Sequence, residues 1–252
     1  MNGGPSVEAN IITRSEVFMP DITIDNLREQ IATCTRLLVM TEVMDYSGHV
    51  SARIPGTARV LIQPRNTSRL ALAADDLLVV DLDGNVLEGD EPTPLETALH
   101  TCVYRARPDA LAVCHGHPPF STLFSVVDRP LLAVRNFAYR FANAVPVHSD
   151  TTHIRSMAQG RAVTQTLGDR RACLLRAHGT VMVSSSIQEL FMDCLDFEWN
   201  ARSLIYATAL GPLLPLTDHE TVALQESYGR SGTRAAKLWE HYLHKGKLAE
   251  VL

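Results

Sequence analysis

The sequence predicts an α/β fold in which a central, largely antiparallel sheet lies between helical layers. Three observations carry this. Helix-like and strand-like patterns interleave irregularly, without the repeated strand–helix crossovers of a parallel doubly wound sheet. Strand-like runs are short and separated by turn residues, as at Pro55-Gly56 and Asp83-Gly84-Asn85, which suit antiparallel neighbours. Between them stand apolar stripes at helical spacing, the longest over residues 187–210. No internal repeat or low-complexity linker interrupts the 252 residues, a length that does not demand two domains. Residues 25–252 therefore read as one domain with a helical C-terminal tail, and residues 1–24 as an N-terminal arm.

The elements follow in order. Asp25 is placed to N-cap a helix whose stripe is Leu27, Ile31, Cys34 and Leu38, running to about Met44. Asp45-Tyr46-Ser47-Gly48 is a turn. Residues 49–54 alternate as a strand, and residues 60–62 form another, stopped by Pro64. The apolar run 77–82 turns at Asp83-Gly84-Asn85 and returns through Val86-Leu87. Thr93-Pro94-Leu95-Glu96 opens a helix reaching Arg105, with Pro94 suited to a first turn and Glu96 near the positive helix end. Residues 110–114 form a buried strand ending at His115-Gly116-His117. A helix is expected over 120–126, mixed strand and loop over 131–147, and a helix over 152–166. Strands at 172–175 and 181–183 flank Arg176-Ala177-His178-Gly179. The tail from 217 is helical and polar.

Composition excludes several classes. Apolar residues are 46% and charged residues 20%, so long disorder is excluded. Lys and Arg total 23 against 28 Asp and Glu, which forces no basic face for nucleic acid. No apolar run approaches the roughly 20 residues of a membrane helix, and MNGGPSVEANIITRSEVF lacks a secretory h-region. A cytoplasmic protein with neither a nucleic-acid nor a membrane partner is the expectation. The five cysteines, Cys34, Cys102, Cys114, Cys173 and Cys194, form no CxxC and read as buried apolar residues.

The histidines carry the chemistry. His115 and His117 flank Gly116 after an apolar strand, and residues two apart on extended backbone share a face. His178, before Gly179 at another strand end, can supply a third nitrogen. Three neutral imidazoles leave open positions on an ion, as a Lewis-acid site requires. Glu96 reads either as a capping carboxylate or as a fourth ligand or acid–base group. His100, four residues on, reads as core or as support behind the site.

The string PLETALHTCVYRARPDALAVCHGH, followed later by RAHGTVMV, resembles the class II aldolase/adducin family, whose motifs occur here in the same order over about residues 25–210. The resemblance implies a three-layer α/β/α sandwich, usually a homotetramer with sites between subunits. It implies that His115, His117 and His178 hold a divalent metal, Zn²⁺ or Mn²⁺, and that Glu96 is an acid–base group or further ligand. The family's sugar-phosphate aldolases bind phosphate through a Thr-x-Gly-Asn loop, a Thr-Gly and a Ser-Ser. Here those places read Tyr46-Ser47-Gly48-His49, Arg65-Asn66 and Pro94-Leu95. Most small hydroxyl donors are gone, and a guanidinium suited to a carboxylate stands instead.

EVFMPDI, MDYSGHVSARIPGT, VDLDGNVLEGD and the VRN…VPVHSDTTHI stretch resemble one branch of the family, the decarboxylases of ring-hydroxylated aromatic dicarboxylates such as dihydroxyphthalates and hydroxypyridine dicarboxylates. The implied activity is metal-dependent, non-oxidative decarboxylation through a metal-stabilised enolate, in aromatic catabolism. Glu96 and His49 are then the catalytic candidates, and Ser47, Gly48 and Arg65 the substrate-binding ones. Two alternatives stand beside it: an aldolase acting on a non-phosphorylated hydroxy-carbonyl compound, and a metal-free adducin-like interaction module.

Overall fold

Thr23 caps the first helix, α1 (Ile24–Met40), its hydroxyl accepting from the Asn26 N–H at 3.2 Å. Asp25, the expected cap, instead lies in the first turn, where its charge still suits the helix N-terminus. The computed structural model describes residues 23–229 and 233–252, so the expected arm over 1–24 lies almost wholly outside the described residues. The stripe Leu27, Ile31, Cys34 and Leu38 is buried as expected. The helix stops before Met44 because Glu42 takes a left-handed φ of 60° and the Val43 and Met44 N–H groups turn back to Leu38 O.

Among the described residues the sheet has eight strands: β1 (His49–Arg53), β2 (Arg59–Ile62), β3 (Leu78–Asp81), β4 (Val86–Glu88), β5 (Ala112–Gly116), β6 (Val147–His148), β7 (Ala172–Leu175) and β8 (Gly179–Ser184). Their order across the sheet is β4-β3-β2-β1-β5-β8-β7-β6. Every pairing is antiparallel except the short edge pair β6–β7. The largely antiparallel sheet is thus as expected, with β5 starting and ending two residues later than the pattern suggested.

The period-two alternation of the strands builds two cores. Leu61, Ala112, Cys114, Leu174 and Met182 face a layer made by α1, α4 (Ile187–Thr208) and α6 (Thr233–Leu248). Val60, Ile62, Val113, Cys173, Val181 and Val183 face α2 (Thr97–Ala106) and α3 (Met157–Leu167), which pack on each other. The three layers are therefore helix, sheet, helix. α5 (Asp218–Gly229) lies against the 3-10 helix Asn136–Phe141. All five cysteines are free and buried.

Three helix expectations shift. Residues 120–126 form a 3-10 helix, Ser121–Ser125, not an α-helix. The Phe120 and Ser121 N–H groups are capped by Glu198 of α4, at 2.6 and 2.9 Å. α3 starts only at Met157, because Ser156 and Gln159 form a capping box there. The tail is less polar than it reads, since α6 buries Trp239 and Tyr242.

Candidate active site

The site forms where the central strands end. Antiparallel pairing sets His49 of β1 opposite His115 of β5, and Gly116 opposite Thr180 of β8. His117 therefore leaves β5 beside the point where His178 enters β8. Gly179 makes this approach possible: a Cβ there would lie 2.3 Å from Gly116 O and 2.9 Å from the His117 ring. Gly116 itself is under no such constraint, its nearest Cβ neighbour being 3.9 Å away.

Nitrogen atoms of His115, His117 and His178 lie within 4.8 Å of one another. Glu96 joins them from the N-terminus of α2. It occupies the cap position yet makes no capping bond to its own helix. Its Oε1 accepts from the Ile154 N–H at 2.9 Å, which turns Oε2 toward His115 Nε2 (3.1 Å), His178 Nε2 (3.7 Å) and His49 Nε2 (4.0 Å). His153, an exposed residue at the rim, stands 3.8 Å from Glu96 Oε1.

Hydrogen bonds fix which nitrogens face inward. His115 Nδ1 donates to Thr180 O at 2.9 Å, so its Nε2 carries a lone pair. His117 Nδ1 faces both oxygens of Asp45 at 3.2 Å and the Ser47 hydroxyl at 3.2 Å, which leaves its Nε2 for a ligand. His115 Nε2 and His178 Nε2 are buried with no hydrogen-bond partner among the described residues. Burial, reinforced by the neighbouring His115, pushes His178 down to about 4 and lowers His117. A carboxylate and three imidazoles whose nitrogens converge are the donor set of a divalent metal.

The other candidates are placed as follows. Ser47 bonds His117 Nδ1, and Gly48 O accepts from Gln63 Nε2 at 2.9 Å and Arg69 Nε at 2.7 Å. His49 is buried against His100. Arg65 is exposed, its Nε donating to Thr93 O at 3.0 Å. Sequence reasoning missed Asp45, whose motif position reads as an ordinary turn residue, and Arg69, which is buried and also donates to Pro64 O and Thr67 O.

Residues 29–205 match the Class II Aldolase and Adducin N-terminal domain. The chain belongs to that family. Within the class II aldolase family, the chain is 32% identical to a 3,4-dihydroxyphthalate decarboxylase of Arthrobacter keyseri, over 88% of this chain and 94% of the relative. It is 27% identical to an L-fuculose phosphate aldolase of Escherichia coli, over 82% of this chain and 95% of the relative. Its fold matches an aldolase II superfamily protein from Pseudomonas syringae with a TM-score of 0.79 at 22% identity, over 90% of this chain and 94% of that one.

Proposed function

We propose that this class II aldolase-family protein is a metal-dependent, non-oxidative decarboxylase of a ring-hydroxylated aromatic dicarboxylate. The observation that carries the reading is the convergence of the buried, unpartnered Nε2 atoms of His115 and His178 on Glu96 Oε2, with His117 beside them. Likeness to the Arthrobacter keyseri decarboxylase supports the substrate class.

His115, His117 and His178 would hold the ion, Zn²⁺ or Mn²⁺, with Glu96 at its side. When bound, such an ion supplies Lewis-acid stabilisation for negative charge developing on a substrate oxygen. The chain's own residues do the rest. Net decarboxylation replaces a ring C–CO₂⁻ bond by C–H, so one proton must be delivered to that carbon. Glu96 Oε2 and His49 Nε2, 4.0 Å apart, are the two groups in place to hold it. Asp45 and Thr180 O fix the ring orientations of His117 and His115.

Carbon dioxide release from 3,4-dihydroxyphthalate tests the reading, with L-fuculose 1-phosphate as control. The aldolase relatives make retro-aldol cleavage the second reading. Turnover of the phosphate ester at a comparable kcat/KM, without carbon dioxide release, would select it.

We further propose a homo-oligomer, most simply a tetramer, acting in the cytoplasm on a small aromatic carboxylate. The many apolar residues of α4 do not by themselves require a partner, because Leu190, Phe191, Cys194, Leu195, Phe197 and Leu204 are buried within the chain. Support comes instead from Tyr206 at 55% exposure and Leu210 and Leu214 at 90%. Light scattering at micromolar concentration is expected to give a mass above that of one chain.

A further inference from the structure

His49 closes one side of the site, and what holds it is buried behind it. His49 Nδ1 lies 2.7 Å from His100 Nε2, His100 Nδ1 lies 2.6 Å from Ser51 Oγ, and Ser51 Oγ lies 2.9 Å from the Tyr104 hydroxyl. None of the four residues is more than 4% exposed. His49 and Ser51 stand two apart on β1, and His100 and Tyr104 four apart on α2, so each pair shares a face. The four side chains form one continuous line between strand and helix.

Each link holds one proton, so with two neutral imidazoles the position of the His100 proton sets the polarity of the His49 link. In one arrangement, Tyr104 donates to Ser51, Ser51 to His100 Nδ1, and His100 Nε2–H to His49 Nδ1. The His49 proton is then on Nε2, toward Glu96. In the other, His100 Nδ1–H donates to Ser51 Oγ, His49 Nδ1–H donates to His100 Nε2, and His49 Nε2 carries a lone pair. That arrangement leaves one hydroxyl proton, of Ser51 or of Tyr104, without an acceptor among the hydrogen bonds of the described residues, because the two hydroxyls then share a single link. An unmet buried donor is unfavourable enough to favour the first polarity by about tenfold or more.

We propose that His100, Ser51 and Tyr104 are positioning residues that lock His49 in its Nε2–H form, so that it offers a hydrogen-bond donor to an anionic substrate oxygen and no lone pair to a metal ion. This rests on the reading of the site as a metal-dependent lyase acting on a carboxylate, and it sharpens that reading. His49, Glu96 and His115 lie close enough together to form an alternative metal set. With the proton on Nε2, His49 cannot join it, and the ion is left to His115, His117 and His178. The 4.0 Å from His49 Nε2 to Glu96 Oε2 is too long for a hydrogen bond, so the donor remains available to a ligand.

Solid-state ¹⁵N NMR of the zinc-loaded, histidine-labelled full chain reads each ring's tautomer without turnover, and a His49→Gln sample assigns the His49 signals. The expected spectrum has His49 protonated at Nε2 and free of zinc. In Ser51→Ala the line loses the hydroxyl that orders it, and the His49 signal splits between two tautomers. Ser51→Thr keeps the hydroxyl and restores the single form, although it adds a methyl group to a fully buried position. A His49 ring protonated at Nδ1 or bound to zinc in the unmodified protein overturns the proposal, whatever the variants do. An unchanged tautomer in Ser51→Ala, or a threonine variant no better than alanine, also overturns it, since packing alone would then explain the burial. Because the readout needs no substrate, its failure is separate from a failure to release carbon dioxide.

Discussion

His115 Nε2 stands 3.1 Å from Glu96 Oε2, and both atoms present lone pairs. The ring proton of His115 is committed to Thr180 O on the other side. Two acceptors this close repel unless a proton or a cation lies with them. His178 Nε2, also buried and without a hydrogen-bond partner among the described residues, faces the same carboxylate oxygen at 3.7 Å. The arrangement makes metal binding the first prediction. His117 is the least buried of the three imidazoles, with 23% of its side chain exposed, so its removal disturbs the core least. His117→Ala is expected to lose most of its bound metal and activity while keeping its fold. Unchanged metal content by elemental analysis would remove the assignment.

The second prediction separates the two glycines of the site. In Gly179→Ala the new methyl meets the Gly116 carbonyl oxygen at 2.3 Å, and a backbone atom cannot swing aside as a side chain can, so β5 and β8 must part. Overpacking of this kind typically costs about 1–3 kcal/mol. The parting also moves His117 relative to His178, so metal affinity is expected to fall by about tenfold or more. Gly116→Ala meets only an ordinary contact at 3.9 Å and is expected to bind metal nearly as the unmodified chain does. Metal titrations of both variants, beside denaturation curves, check the contrast.

That contrast bears on what a sequence makes legible. The three imidazoles stand out because an H-x-H and a His-Gly at strand ends are local patterns, and antiparallel pairing then does the rest. The glycine that matters is less visible: the pattern draws attention to Gly116, between the histidines, while the tight approach falls on Gly179 across the sheet. Asp45 and Arg69 are illegible for a similar reason. Asp45 sits in a turn that any aspartate would suit, and its bond to His117 spans 72 residues. Arg69 follows Thr67-Ser68 like a solvated loop cation, yet Gly48 O, 21 residues away, buries it. The short helix at Ser121–Ser125 depends in the same way on Glu198, 77 residues downstream of Ser121. Period and turn chemistry are written locally, whereas partners across the sheet are set only when the layers close.

The third prediction concerns acid stability. Burial opposes ionisation of Glu189, but the charge of Arg140, the Ser185 hydrogen bonds and the charge of Arg171 hold its carboxyl at about 2. A folded value below the ordinary 4.5 means that ionised Glu189 stabilises the fold above pH 4.5. That contribution is lost as the pH falls toward 2. Asp193 is held at about 6, chiefly by burial against the charges of Arg140 and Arg171, with the Glu189 charge a smaller contribution upward, so removing Glu189 relieves Asp193 and offsets part of the loss. Glu189→Gln is expected to lower stability by about 2 kcal/mol at pH 7 and by nearly nothing near pH 2. Chemical denaturation at the two pH values decides it; an equal difference at both would remove the electrostatic account.

The last prediction assigns the substrate's charge to one of two arginines. Arg69 is buried, and its Nε and Nη1 donate to Gly48 O, Pro64 O and Thr67 O, so its protons hold the loop that carries His49. Arg65 is exposed, and among the described residues its side chain bonds through Nε alone, to Thr93 O. Its terminal nitrogens keep the fork that pairs with a carboxylate in two parallel bonds. Such a contact holds substrate and transition state alike, so Arg65→Met is expected to raise KM for 3,4-dihydroxyphthalate about tenfold with a smaller change in kcat. Arg69→Met is expected instead to lower thermal stability, since three carbonyl oxygens lose a buried donor. His49→Ala is expected to depress kcat, because it removes a donor placed beside Glu96 where the proton must pass. Steady-state kinetics of the three variants test the division of labour. If Arg65→Met leaves KM unchanged, Arg65 is a solvated loop cation, and the carboxylate must be met by other groups of the site.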